Sequence, residues 1–96
     1  MDPPEHAGPS DAELVERIEA GDAAAFETLH ERYRDWAFAV ARRHVGDRDA
    51  ALDVGQDAFL WLLRRFPGFE LRAPMKAVLF PVIRHLARDV RADPAA

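Results

Sequence analysis

The chain has 96 residues and no cysteine, which bounds it to one domain burying roughly 65% of its unfolded surface and excludes disulfide frames and thiolate metal sites. No stretch reaches the ~20 apolar residues of a membrane-spanning helix, and the opening MDPPEHAGPS lacks the basic and apolar regions of a signal peptide, so the expected compartment is the cytoplasm, with no membrane partner. The formal net charge of −4 hides a gradient, since residues 1–30 carry one Arg against eight acids and residues 61–96 carry seven bases against three.

Residues 1–9 are aperiodic and rich in Pro and Gly, which reads as a disordered leader. Ser10 and Glu13 form an S-x-x-E capping box ahead of a short apolar face, Leu14, Val15 and Ile18, that Gly21 terminates. Asp22 caps a second helix, in which Phe26, Leu29, Tyr33, Trp36, Ala37, Val40 and Ala41 recur at three- and four-residue steps as far as Gly46. Tyr33 and Trp36 lie on that apolar row and are expected in the core.

Asp47 or Asp49 starts a third helix with a row of Ala51, Val54, Ala58 and Leu62 and a second row of Phe59, Leu63 and Phe66. The run AFLWLL leaves little polar surface, so this helix is expected to be buried on more than one side or to dock a partner. Pro67 and Gly68 stop it. After the loop PGFELRA, Pro74 opens a fourth helix whose apolar row is Met75, Val78, Leu79, Val82, Leu86 and Val90. Pro81 falls inside it, deleting the bond to the Ala77 carbonyl at a typical cost of ~3 kcal/mol. The apolar row stays in phase on both sides, so a kink and not a break is expected. No strand pattern appears. The expected fold is all-α, a compact bundle of four helices over residues 10–92, with residues 93–96 a tail.

Two surfaces stand out. Opposite the apolar row of the fourth helix, Lys76, Phe80, Arg84 and Arg88 recur every four residues, with Arg91 beyond. Cations that meet a backbone and a ring that stacks on an unpaired base suit single-stranded nucleic acid; a solvated face with Phe80 folded inward fits the same spacing. Arg64, Arg65, Phe69 and Arg72 extend the basic surface around the preceding loop. On the third helix, Asp49, Asp53 and Asp57 lie at i, i+4 and i+8, with Gln56 beside them and Leu60 one turn on. Such an acidic ridge with an apolar anchor suits a basic helical partner, although an ordinary solvated face has the same pattern.

Catalytic and metal-binding constellations are missing. His6, His30, His44 and His85 form no H-E-x-x-H, and there is no G-x-S-x-G, Gly-rich phosphate loop or Cys nucleophile. Neither an enzyme nor a cofactor or metal site is expected.

In order and spacing, the G-D-x-x-A-F at Gly21 to Phe26, the D-x-x-Q-[ED]-x-F-L run from Asp53 to Leu60 and the A-x-L-[FY]-x-x-x-R pattern from Ala77 to Arg84 resemble region 2 of extracytoplasmic-function (ECF) sigma factors over about residues 11–92. The resemblance implies transcription initiation as the function. It assigns Asp53, Gln56, Asp57 and Leu60 to the coiled-coil clamp helices of the β′ subunit of core RNA polymerase. It assigns Phe69, Arg72, Lys76, Arg84, His85 and Arg88 to the non-template strand of the promoter minus-ten element, where a base is held flipped out of the stack; Arg64, Arg65 and Phe80 join these DNA-binding candidates from their place on the basic surface.

The chain also departs from that pattern. It has Leu52 and Asp57 where the family has Glu, Val78 where it has Trp, and His85 where an Asn lines the base pocket. Imidazole lacks the paired donor and acceptor of an amide, so base preference does not carry over. These departures, with the short basic tail, favour an alternative: a sigma-derived interaction module that binds an anti-sigma factor or another regulator without reading DNA sequence.

Overall fold

A computed structural model describes the backbone of residues 8–92 and the side chains of residues 8–90, so most of the leader and all of the 93–96 tail lie outside the described residues. Four helices follow one another: α1 Asp11–Glu19, α2 Ala23–His44, α3 Arg48–Leu63 and α4 Met75–Ala92. No strand occurs among the described residues.

Each of the first three helices begins at the residue whose side chain can replace a missing backbone acceptor. Ser10 Oγ accepts the Glu13 N–H at 3.1 Å, Asp22 Oδ1 accepts from Ala24 and Ala25 at 3.0 and 3.3 Å, and Asp47 Oδ2 accepts from Ala50 at 2.8 Å. Asp47, and not Asp49, therefore caps α3; Asp49 sits in its first turn, where the helix dipole favours a negative charge. The turn from α1 to α2 closes with Asp22 N–H on the Arg17 carbonyl and Gly21 N–H on the Ile18 carbonyl, both at 2.9 Å. This paired geometry needs a left-handed residue after the helix, and Gly21 has φ +93°.

The helices share one core. Leu14 of α1, Leu29 of α2, Val54 and Leu62 of α3, and Met75, Leu79 and Ile83 of α4 are fully buried, each worth roughly 1.5–3 kcal/mol in apolar burial. Apart from Tyr33, whose hydroxyl is bonded, no residue with a polar or charged side chain is buried as a whole among the described ones. Tyr33 is buried as expected, whereas Trp36 is only half-buried. In α4 the innermost stripe is Met75, Leu79, Ile83 and Ala87, with Val78, Val82, Leu86 and Val90 packed against the core from its flank. Of the expected row, Met75 and Leu79 lie on the core line, while Val78, Val82, Leu86 and Val90 lie to one side of it. On α3 the second row is split, because Phe59 is buried while Leu63 is 41% exposed.

α4 continues through Pro81, whose residue is exposed. Gly55 is buried where α3 crosses α2, and a Cβ there would meet the Phe38 nitrogen at 3.7 Å. α1 is fastened to α2 by Asp11, which pairs with Arg32 at 2.8 Å and also accepts the Tyr33 hydroxyl.

Candidate functional site

The acidic ridge is a surface feature. Asp49, Asp53, Gln56 and Asp57 are all exposed on α3, and Leu60 at their end is 46% exposed. Three large aliphatic side chains on this helix, Leu52, Leu60 and Leu63, face solvent, an arrangement that costs hydration free energy and suits contact with a partner. The ridge borders two grooves between α2 and α3. One of about 470 Å³ runs past Arg34, Phe38, Leu52 and Gln56, and one of about 220 Å³ lies between Phe26, Gln56 and Leu60. His30 lines both grooves, its ring edge-on to Phe59 at 4.7 Å. Arg64, four residues beyond Leu60 in the chain, follows on from the ridge and is exposed.

The basic residues divide into two neighbourhoods. Around the α3–α4 loop, Arg65, Phe69 and Arg72 line one open concavity of about 480 Å³. Arg65 stacks on Trp61, 4.2 Å from the ring centre. The Phe69 ring packs against Phe66 at 5.3 Å, following a cis Phe66–Pro67 peptide bond. Arg72 is paired with its neighbour Glu70, Nε to Oε2 at 3.0 Å, in a contact open to solvent. The loop backbone is held from a distance, since Glu19 Oε1 accepts the N–H groups of Gly68 and Phe69 at 2.5 and 2.8 Å.

Along α4, Lys76 lies over the Trp36 ring of α2 at 5.8 Å. Phe80 is 39% exposed and not folded inward; Arg84 covers it at 5.9 Å and His44 of α2 meets its edge at 6.4 Å. Arg84 and Arg88 are exposed. His85 is also exposed and faces Asp89, with Nε2 to Oδ2 at 3.5 Å. At 100° per residue it points about 140° away from Phe80 around the helix. Lys76, Phe80 and Arg84 therefore share a flank that His85 does not.

Sequence reasoning missed four participants in these neighbourhoods: Glu19, Trp36, His44 and Trp61. The Trp61–Arg65 pair was legible in its i, i+4 spacing. Glu19 had no local signal, its partners being 49 and 50 residues away. Among the described residues no group of three or more His, Cys, Asp or Glu side chains could hold a metal ion, and no helix is long and apolar enough to cross a membrane.

Comparison with known proteins identifies relatives of the chain. The family model "Sigma-70 region 2" matches residues 29–93. The chain is 36% identical over 78 residues to the ECF RNA polymerase sigma factor BldN of Streptomyces coelicolor, covering 80% of this chain and 30% of that protein. It is 37% identical over 79 residues to the RNA polymerase sigma-H factor of Pseudomonas aeruginosa, covering 82% of this chain and 41% of that one. It thus spans less than half the length of these curated relatives. Its fold matches an engineered region 2 of sigmaE solved by NMR in complex with GTAAAA, with a TM-score of 0.79 and 28% identity over 91% of this chain and 90% of that one.

Proposed function

The chain belongs to the sigma-70 region 2 family, and we propose that it is the part of an ECF-type sigma factor that docks on the β′ clamp helices of core RNA polymerase and engages the opened minus-ten element of a promoter. The observation that carries this reading is the separation of two surfaces. An exposed ridge of Asp53, Gln56, Asp57 and Leu60 occupies α3, while the basic, aromatic side chains occupy the α3–α4 loop and α4. One face grips polymerase through charge steering and an apolar anchor. The other holds the non-template strand.

On the DNA side, Lys76, Arg84 and Arg88 meet phosphates, and Phe80 offers an exposed ring to a base. Arg65, Phe69 and Arg72 surround the open concavity beside the loop, which in this reading receives the flipped base. Extrusion of a base costs a few kcal/mol that stacking and hydrogen bonds in the pocket must offset. Promoter melting is then binding work, and no covalent step or cofactor is required of this domain. The likeness to a region 2 fold solved in complex with GTAAAA supports this reading over that of an interaction module without DNA recognition.

The test is retention of core RNA polymerase on the immobilised protein, with an isolated β′ clamp fragment as competitor. The proposal expects retention that the fragment abolishes. Retention indifferent to the fragment would remove the clamp assignment. For the DNA side, a minus-ten non-template oligonucleotide should bind more tightly than its scrambled version, and equal binding would favour the interaction-module alternative.

A further inference from the structure

We infer that Glu19, at the end of α1, is a positioning residue for the loop between α3 and α4; the inference rests on the DNA-reading role proposed above for that loop. One carboxylate oxygen accepts two consecutive backbone N–H groups, those of Gly68 at 2.5 Å and Phe69 at 2.8 Å. Gly68 is in the left-handed region at φ +103°, a conformation open to glycine at little cost and therefore one that a free loop leaves easily. The carboxylate fixes it. With the backbone of Gly68 and Phe69 held, the Phe69 ring is set against Phe66, and the wall of the concavity formed by Arg65, Gly68, Phe69, Glu70 and Arg72 has one shape.

The placement of Glu19 runs against local preference. It is the last residue of α1, where the helix dipole presents its negative end and disfavours a carboxylate. α1 gains nothing from the charge there, and the compensation is tertiary: two charge-assisted hydrogen bonds to a segment 49 and 50 residues away. Glu19 does not line the concavity and need not touch DNA. Its part is to pre-form the pocket, so that binding a base does not also have to order the loop.

The consequence is a split between affinity and discrimination. The experiment uses a hexanucleotide selected on the wild-type protein from a random single-stranded pool, and a set of the same strand lacking one base at a time. Wild-type protein is expected to lose about tenfold in affinity when the base read by the loop is removed. Glu19→Ala should bind the intact strand about fivefold more weakly and shrink that discrimination to about twofold, with the abasic strand bound as before. Glu19→Gln, whose amide oxygen can still accept both N–H groups, should keep most of the discrimination. The urea midpoint of Glu19→Ala should be unchanged, since a charge opposed to the α1 dipole is removed along with two exposed bonds, and that of Glu19→Gln, which loses the charge and keeps the bonds, should not fall.

Undiminished discrimination in Glu19→Ala, with wild-type protein discriminating, would overturn the inference and leave the loop reading intact. An equal change for intact and abasic strands would also overturn it, assigning Glu19 only a general electrostatic effect. A wild-type protein that binds neither strand, or binds both alike, would remove the loop reading and this inference together.

Discussion

Gly55 of α3 faces Ala37 of α2 so closely that a Cβ at position 55 would stand 3.9 Å from the Ala37 Cβ. That distance is an ordinary van der Waals contact, as is the 3.7 Å to the Phe38 nitrogen. Glycine is therefore not required by space or by backbone angle, since Gly55 has no positive φ. Replacing a helix-interior Gly by Ala recovers roughly 0.5–1 kcal/mol of backbone entropy. Gly55→Ala should raise the unfolding free energy by about that amount in urea denaturation, and Gly55→Leu should lower it by roughly 1–3 kcal/mol through overpacking. A loss of stability in the Ala variant would contradict the reading that the α2–α3 contact has room for a methyl group at position 55.

The Asp11–Arg32 pair should matter more for stability than surface pairs do. Side-chain exposure is 19% for Asp11 and 6% for Arg32, and the same carboxylate accepts the hydroxyl of buried Tyr33. Asp11→Ala strips a partner from two largely buried donors and should cost about 1–3 kcal/mol. Exposed Arg72 and Glu70 provide the contrast, as Glu70→Ala should change the urea midpoint by less than about 0.5 kcal/mol in equivalent free energy. Equal effects from the two substitutions would contradict the idea that α1 is fastened at Asp11.

Much of the fold was legible because its signals are local. Ser10, Asp22 and Asp47 cap the helices that their side chains can cap, Gly21 takes the conformation that ends α1, and the acidic ridge follows from four-residue spacing. On α4 the sequence marks Met75 and Leu79 but not the rest of the core line, because Val78, Val82, Leu86 and Val90 form a row as apolar as the true stripe. Only packing against α2 and α3 chooses Ile83 and Ala87 for the interior. The grasp of Glu19 on the loop and the seat of Lys76 over Trp36 were hidden for a different reason. Both join residues far apart in the chain, and spacing within one helix carries no information about them.

Charge reversal on the ridge tests the polymerase face without disturbing the fold. Asp53 and Asp57 are exposed, and no ion pair or hydrogen bond to their side chains appears among the described contacts, so Asp53→Lys combined with Asp57→Lys should leave far-ultraviolet circular dichroism unchanged. Binding to the β′ clamp fragment should fall by at least about tenfold, because a partner suited to an acidic ridge would repel the new cations. Full binding by the double variant would place the clamp contact elsewhere.

Salt dependence tests the phosphate contacts. Each phosphate neutralised on a single strand contributes about 0.7 to the slope of log affinity against log salt. Arg84→Ala and Arg88→Ala should each lower the slope by about that amount and weaken binding to unrelated sequences equally. An unchanged slope would remove these arginines from the DNA contact.

Polymerase and DNA are proposed to use separate faces of one small helical domain, which amide chemical-shift mapping on isotopically labelled protein can resolve. Titration with the β′ clamp fragment should move resonances from Asp53 to Leu60. A minus-ten oligonucleotide should move those from Arg65 to Arg72 and along α4 from Lys76 to Arg88, and both ligands added together should give the sum of the two patterns. Shifts from both ligands on the same residues, or displacement of one ligand by the other, would mean that polymerase and DNA share one face.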